Sequence, residues 1–198
     1  MHEIPTDDRR RTILEAAFRT FVTYGFKRTT MADIAKAAGL SRPALYLDFS
    51  NKTEIYRAKY FDLLEEARHD VRRAFEAHED FPAGLKAAVD AAIVQPYRTI
   101  TGTPHGLELF DMKQEIGADL AEAWFAMFES EVETAFKAHA RMGRIDPAAA
   151  SIDAKGFARL LVTSVEGIKM RMKDIDAAAE EFDRLVDFFC RSLWRRVA

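Results

Sequence analysis

Gly39 stands between two short segments that each begin with a helix-start signal, and this arrangement constrains the fold more than any other feature of the sequence. Thr30 and Asp33 have the spacing of a capping box, in which a hydroxyl and a carboxylate satisfy the first amides of a helix. Ser41 is followed by Pro43, and a helix tolerates proline in its first turn. Because glycine readily adopts a positive φ, Gly39 can end one helix and direct the chain into the next. The sequence therefore predicts two helices joined by a tight turn.

The apolar residues of this segment indicate how the two helices would pack. Ala35 is small where the helices must touch, and Leu45 is placed to fill the space beneath the second helix. With Gly39 between them, this spacing is that of a helix-turn-helix, which lays its second helix in the major groove of DNA. The same spacing also fits an ordinary helical hairpin with a glycine turn, so spacing alone leaves both interpretations open.

Helical periodicity continues through the rest of the chain, and long alternating β-type runs and Asn-Gly hairpin turns are lacking. We predict an all-α protein of about nine helices. The first helix follows Pro5 and stops at Gly25, and the fourth begins at an Asn51 cap. The fourth helix and the five that follow are expected over 52–77, 83–98, 104–115, 117–141, 151–173 and 176–196.

Charge is unevenly distributed along the chain, although the net charge is only -3. Residues 1–52 contain nine Lys and Arg against six Asp and Glu, whereas the remainder contains 20 basic and 26 acidic residues. A basic head on an acidic body is expected when one end of a protein meets phosphate.

Several classes of protein do not fit this sequence. Cys190 is the sole cysteine, which excludes a disulfide within the chain and a cysteine-based metal site. No apolar run approaches the ~20 residues that span a membrane. The N-terminus has no apolar signal segment, so we expect a cytoplasmic protein with no membrane partner. The histidines are scattered, and H-E-x-x-H, G-x-S-x-G, Walker and GxGxxG motifs are lacking; we therefore expect no enzyme, no cofactor and no metal.

The stretch from Thr29 to Lys52 resembles the tetracycline-repressor (TetR/AcrR) family of transcriptional regulators. Upstream, Phe18, Phe21 and the segment Tyr24-Gly25-Phe26 are similar to that family's first helix and the turn that follows it. This resemblance favours the helix-turn-helix over the ordinary hairpin.

The resemblance also implies which residues contact DNA. Arg42, Pro43 and Ala44 fall where family members touch base edges, and an arginine fork can pair with O6 and N7 of guanine. Tyr46 and Lys52 fall where members bind phosphate. The predicted DNA-binding set is Thr29, Thr30, Ser41, Arg42, Pro43, Ala44, Tyr46 and Lys52.

Asp48 departs from the family pattern, which often has Tyr or His near phosphate at this position. A carboxylate there would repel DNA, so we expect Asp48 to point away from DNA toward a nearby Arg or Lys. The neighbouring Leu47 cannot read a base by hydrogen bonding, although it could touch a thymine methyl group.

Two wide apolar faces near the end of the chain indicate a buried contact beyond a single core. The resemblance implies the same, because two such helices form the dimer interface of the family. We therefore divide the chain into a helix-turn-helix DNA-binding domain, 1–52, and a helical effector-binding and dimerisation domain, 53–198. The residues expected in the dimer interface are Phe157, Leu161, Ile168, Phe182, Leu185, Phe189 and Leu193.

The middle helices are rich in aromatic and flexible side chains. The resemblance implies that they enclose a small-molecule pocket with an apolar lining and a few polar groups. Packing in an ordinary core is the other interpretation of any single residue. The candidate pocket residues are Tyr97, His105, Phe110, Trp124, Phe128 and Ser164.

Together these features predict a homodimeric, sequence-specific regulator of transcription that binds a palindromic operator in double-stranded DNA. We expect a repressor that a small, largely apolar ligand releases from the operator by favouring a different conformation. The alternative is a dimeric DNA-binding regulator without a small-molecule effector, controlled by a protein partner or by its own abundance.

Overall fold

The computed structural model describes residues 6–116, 118–172 and 174–193, apart from the side chains of residues 6, 7, 110, 111, 113–115 and 118. The elements in this part of the chain are helical, with no β-strand among them, which confirms the predicted all-α class. A π-helical segment, Asp90–Val94, lies between the fifth and sixth α-helices. The α-helices are α1 (Thr6–Tyr24), α2 (Met31–Ala37), α3 (Arg42–Asp48), α4 (Lys52–Glu76), α5 (Phe81–Val89), α6 (Gln95–Thr101), α7 (Gly106–Ile116), α8 (Ala118–Arg141), α9 (Pro147–Ala150), α10 (Ala154–Arg171) and α11 (Ile175–Cys190).

These bounds agree with most of the predicted helices. The stretch 81–101 is continuously helical and can be counted as one element, and α9 is a single turn. Counted in this way, the described residues contain nine longer helical elements, which is the predicted number. The sequence does not predict α9, because Pro147 indicates a connection there. The proline instead lies in the first turn of α9, and the Asp146 carboxylate caps that turn by accepting a hydrogen bond from the Ala148 amide.

The π-helical segment is explained by Pro96, which has no amide hydrogen to donate. The carbonyl of Ala92, four residues earlier, therefore loses its normal helical partner. The indole nitrogen of Trp124 donates to that carbonyl instead, at 2.9 Å. The amide of Gln95 reaches back five residues to the Asp90 carbonyl, which widens the helix at this point.

The chain divides into two compact units. The N-terminal unit contains residues 1–65 and 99–122, and the C-terminal unit contains residues 66–98 and 123–198. The N-terminal unit thus holds more of the chain than the predicted domain 1–52, since the first turns of α4 and all of α7 belong to it. The functional boundary after that domain stays a prediction.

One apolar core joins the helices of the N-terminal unit. Ile34 and Leu45 are fully buried in it, and α7 adds Leu109 and Met112. The hydroxyl of Tyr56, on α4, donates to the Leu109 carbonyl at 2.8 Å, and burial raises the pKa of this tyrosine to about 12. Both apolar packing and a buried hydrogen bond therefore hold α7 in this unit.

Aromatic rings form the centre of the C-terminal unit. Phe136 and Phe157 lie 4.8 Å apart between ring centroids, and Phe81 lies 5.8 and 5.9 Å from them. Rings at these distances and tilts pack favourably beyond the area that they bury. His139 lies against Phe81, and its pKa is lowered by burial, with the Arg144 cation acting in the same direction.

None of the helices in the described part of the chain is long and apolar enough to cross a membrane.

Candidate nucleic-acid interface

The predicted helix-turn-helix is formed by α2, a tight turn and α3. The Thr30 hydroxyl accepts from the Asp33 amide, and the Asp33 carboxylate accepts from the Thr30 amide, which is the predicted capping box. Gly39 has a φ of 68°, and the amides of Gly39 and Leu40 donate back to the carbonyls of Lys36 and Ala35. This is a Schellman ending, which glycine favours because a positive φ costs it nothing.

The second helix begins as predicted and buries one side. The Ser41 hydroxyl accepts from the Ala44 amide, and Leu45 is fully buried. The next helix start is also confirmed, since the Asn51 side chain accepts from the Glu54 amide at 2.9 Å. These contacts fix the position of α3 along its axis and in rotation.

The opposite side of α3 is exposed. Arg42 and Tyr46 lie four residues apart, as do Pro43 and Leu47, so the four side chains form two adjacent rows on the helix surface. We call them the α3 surface. Leu47 is 79% exposed, which is unusual for a leucine beside an apolar core. The Arg42 guanidinium lies 5.6 Å from the centroid of the Tyr46 ring, within the range of a cation–π contact.

Asp48 does not face outward with this surface. Its carboxylate accepts from Nε and Nη2 of Arg9 at 2.9 and 2.6 Å, and its side chain is 8% exposed. This confirms the expectation that Asp48 turns toward a nearby arginine. The neighbouring Arg10 guanidinium lies 4.4 Å from the Phe49 ring centroid. The start of α1 is therefore bound to the end of α3 by a charge pair and a cation–π contact.

The turn between α1 and α2, residues 25–29, is held by a single ammonium group. Lys52 Nζ donates to the carbonyls of Phe26, Lys27 and Thr29 at 2.7, 3.1 and 2.8 Å. It also lies 4.7 Å from the Phe26 ring centroid. Burial lowers the pKa of Lys52, and the Glu108 carboxylate acts in the opposite direction. An ammonium has three hydrogens to donate, and these three carbonyls take all of them.

Residues of α7 contact the same turn from another side. Glu108 accepts from the Lys27 amide at 2.9 Å. His105, the residue before α7, donates its amide hydrogen to the carbonyl of Val22, near the end of α1, at 3.0 Å. Gly25, with a φ of 86°, permits this approach, because a Cβ atom there would lie 2.5 Å from a Glu108 carboxylate oxygen. We call this arrangement of Lys52, Glu108 and the turn the turn clamp.

The predicted DNA-binding residues fall into two groups. Thr30, Ser41, Arg42, Pro43, Ala44 and Tyr46 have exposed or half-buried positions around α2 and α3. Thr29 is buried, and its hydroxyl donates to the Gly25 carbonyl at 2.8 Å, so its predicted contact with DNA does not fit this geometry. The Lys52 ammonium is likewise taken up by carbonyls, which corrects its expected role from binding phosphate to positioning the turn. Leu47, left out of the predicted contact set, belongs to the α3 surface by its exposure.

The predicted pocket residues are divided between the two units. His105 belongs to the N-terminal unit, whereas Tyr97, Trp124, Phe128 and Ser164 belong to the C-terminal unit. Phe128 is fully buried, and the Ser164 hydroxyl donates within its own helix to the Leu160 carbonyl. The side chain of Phe110 lies outside the described residues. An open cleft of about 410 Å³ in the C-terminal unit is lined by other residues, namely Phe136, Lys137, Ala140, Arg141, Pro147 and Ala154.

Most of the predicted dimer residues lie inside their own protomer. Phe157, Leu161, Phe182 and Leu193 are buried, and Ile168, Leu185 and Phe189 are half-buried. The four buried side chains are therefore not available to a second copy, whereas the dimer role of Ile168, Leu185 and Phe189 stays a prediction. The large apolar side chains that do face outward on α10 and α11 are Leu160, 54% exposed, Met170, 81% exposed, and Phe188, 71% exposed. Phe188 is not among the residues predicted for the dimer interface, because it lies beside the apolar stripe of α11 that helical periodicity picks out.

The fold and the α3 surface define an all-helical protein of the helix-turn-helix class. Residues 13–58 match the sequence profile described as "Bacterial regulatory proteins, tetR family". Over these residues the chain is similar to that family, as the resemblance predicted, and the curated relatives that match this region are named transcriptional regulators.

Individual proteins support the same assignment. The HTH-type transcriptional activator FasR of Mycolicibacterium smegmatis is 38% identical over 90 residues, which are 46% of this chain and 41% of FasR. The matched region thus spans less than half the length of FasR. The nicotine-responsive transcriptional repressor HdnoR of Paenarthrobacter nicotinovorans is 24% identical over 171 residues, 85% of each chain. The crystal structure of a transcriptional regulator from Cytophaga hutchinsonii has a TM-score of 0.76 at 18% identity, covering 93% of this chain and 98% of that one.

The turn clamp leads to a prediction about stability. Lys52→Met should lower the free energy of unfolding by about 2 kcal/mol, because the methionine cannot donate to the three carbonyls. Urea unfolding followed by far-ultraviolet circular dichroism measures this change. Lys36→Met is the matched control, since Lys36 is exposed on α2, and it should change stability by less than about 0.5 kcal/mol. Equal stability of the Lys52→Met variant and the wild type would contradict the assigned role.

Proposed function

We propose that the protein is a homodimeric, sequence-specific DNA-binding repressor of transcription that a small, largely apolar ligand releases from its operator. The observation that carries the DNA-binding part is the α3 surface. It is exposed on a helix whose position is fixed by the Ser41 cap and the buried Leu45. In a helix-turn-helix this second helix enters the major groove, so its outward side chains meet base edges.

The chemistry of the α3 surface suits two kinds of base. Arg42 can donate two parallel hydrogen bonds to guanine, and this pairing is the commonest specific contact in the major groove. Pro43 and Leu47 can make apolar contacts with a thymine methyl group. Tyr46 supports the Arg42 guanidinium by its cation–π contact, and its exposed side chain carries a hydroxyl that can donate to a phosphate oxygen of the DNA backbone. Thr30 and Ser41 remain candidate backbone contacts at the starts of α2 and α3.

Dimerisation is supported by the outward side chains of α10 and α11. Leu160 and Phe188 are large apolar groups that the protomer leaves in water. A second copy packed on this face would bury both and would present two recognition helices. Two half-sites about one turn of DNA apart then multiply the specificity of one short helix.

Release by an apolar ligand is supported by one relative and by the composition of the C-terminal unit. HdnoR is named a nicotine-responsive repressor, and its match extends through most of both chains. The C-terminal unit contains an aromatic core in which a ligand could replace one packing arrangement by another. A ligand shifts such an equilibrium only by its difference in affinity for the two arrangements. Ligands that raise the melting temperature and lower DNA affinity together would separate this function from a regulator without an effector.

Selection of bound duplexes from a random pool tests the DNA-binding function. The wild type should enrich a palindromic sequence. Arg42→Ala should bind that sequence more weakly by about 1–3 kcal/mol and should tolerate any base at one position of each half-site. Fluorescence anisotropy on single-base variants of the selected duplex measures both effects. Enrichment of no sequence would contradict the proposed function, and unchanged base preference would contradict the role of Arg42.

Phe188→Glu tests the dimer face. Burying an unpaired carboxylate in an apolar interface is unfavourable, so the dissociation constant of the dimer should rise at least tenfold, which corresponds to about 1.4 kcal/mol. Sedimentation over a range of concentrations measures it. Leu107→Glu is the matched control, because Leu107 is 60% exposed on α7 and lies in the N-terminal unit. Equal sedimentation of both variants and the wild type would overturn the assignment of this face.

A further inference from the structure

Arg28, two residues before the Thr30 cap of α2, has an exposed guanidinium that the Tyr24 carbonyl and the His105 ring hold in place. Its Nε donates to the Tyr24 carbonyl at 2.9 Å, and its Nη2 lies 2.7 Å from Nε2 of His105. Within the residues that the structure describes, these contacts include no carboxylate. The cation is therefore fixed in direction without a direct ion pair to an acidic side chain.

The contact with Arg28 determines the state of the His105 ring. Arginine can only donate hydrogen bonds, so Nε2 of His105 must accept, and the ring hydrogen is on Nδ1. Nδ1 faces the Glu108 carboxylate at 3.5 Å, which favours the same tautomer. The backbone of His105 is held in turn by its amide bond to the Val22 carbonyl. Nε2 of the imidazole is thus placed to accept from the guanidinium.

The place of Arg28 in the motif indicates what this cation meets. It lies two residues before Thr30, the cap of α2, and the first helix of a helix-turn-helix crosses the DNA backbone. Lys52, which the resemblance assigned to phosphate, is taken up by the three carbonyls of the turn. Two of the five N–H groups of Arg28 are used by its acceptors, and the others remain able to bind phosphate oxygens.

We propose that Arg28 is a phosphate-binding residue of the protein–DNA interface and that His105 is a positioning residue that orients it. This proposal rests on the proposed DNA-binding function. His105 is among the candidate pocket residues predicted from the sequence. The structure locates it in the N-terminal unit, and the proposal gives it a role in that unit. A guanidinium that is held in advance loses little conformational freedom when it binds a phosphate.

The salt dependence of DNA binding tests the proposal, because each phosphate contact adds about 0.9 to the slope of log K against log salt concentration. Anisotropy titrations of a mixed-sequence duplex at several salt concentrations would compare the wild type with Arg28→Gln. We expect the variant to bind several-fold more weakly and its slope to fall by about 0.9 per protomer. Arg73→Gln is the matched control, because it removes the same charge from an exposed arginine in the C-terminal unit.

His105→Leu tests the positioning role, since leucine fills similar space without an acceptor. It should weaken binding in the wild-type background and have no further effect in the Arg28→Gln background. His105→Gln restores an acceptor and should recover most of the affinity. Circular dichroism and melting temperature verify that each variant is folded.

Three outcomes would overturn these assignments in distinguishable ways. Equal slopes for Arg28→Gln and Arg73→Gln would show that Arg28 binds no phosphate. An equal loss from His105→Leu in both backgrounds would show that His105 does not act through Arg28. A wild type that binds no duplex would contradict the proposed function itself, whatever the variants do.

Discussion

The helix-turn-helix depends on the three hydrogen bonds that Lys52 donates to the turn after α1. Without a donor, the carbonyls of Phe26, Lys27 and Thr29 would converge on one small space with nothing between them. With the ammonium in place, the turn carries α2 away from α1 at a fixed angle, and the apolar core beneath α3 can close. Because Lys52 is the first residue of α4, the same contact joins the start of that helix to the start of the motif.

The turn is also where α7 becomes part of the DNA-binding unit. Glu108 binds the Lys27 amide, Tyr56 binds the Leu109 carbonyl, and Gly25 leaves room for the approach. A change in the position of α7 would therefore act directly on the segment that leads into α2. This gives the proposed ligand response a physical route that needs no motion of the α3 core itself.

Features decided by neighbouring residues could be predicted from the sequence. The caps at Thr30, Ser41 and Asn51, the positive φ of Gly39 and the burial of Leu45 follow from local spacing and were confirmed. Contacts between distant residues could not be predicted. From the sequence, Lys52 is expected to be an exposed cation at the start of a helix. In the folded chain its ammonium contacts three carbonyls that lie more than twenty residues earlier in the sequence. For Asp48 the sequence predicted a nearby arginine or lysine as partner, but it did not identify Arg9 as that partner.

The apolar stripes of α10 and α11 likewise did not predict which side of each helix faces outward. On α10 and α11 the stripe of Phe157 and Phe182 is the side that packs inside the protomer, while Leu160 and Phe188 face outward. Periodicity shows that a helix has a buried side but not which partner buries it. Helical periodicity also cannot predict the widened helix near Pro96, because that helix depends on a hydrogen bond from the Trp124 indole, which lies in a distant part of the chain.

The central claim is that the α3 surface lies against base edges, and DNA cleavage from Leu47 tests it most directly. Burial raises the pKa of the Cys190 thiol to about 12, so a Leu47→Cys variant can be labelled with an iron chelate at the introduced cysteine alone. On a duplex selected by the wild type, we predict two clusters of cuts about one helical turn, ~34–36 Å, apart. A Thr134→Cys variant, exposed on α8 and away from the proposed dimer face on α10 and α11, serves as the control label. Cleavage from Leu47→Cys no stronger or more localised than from the control would contradict the account.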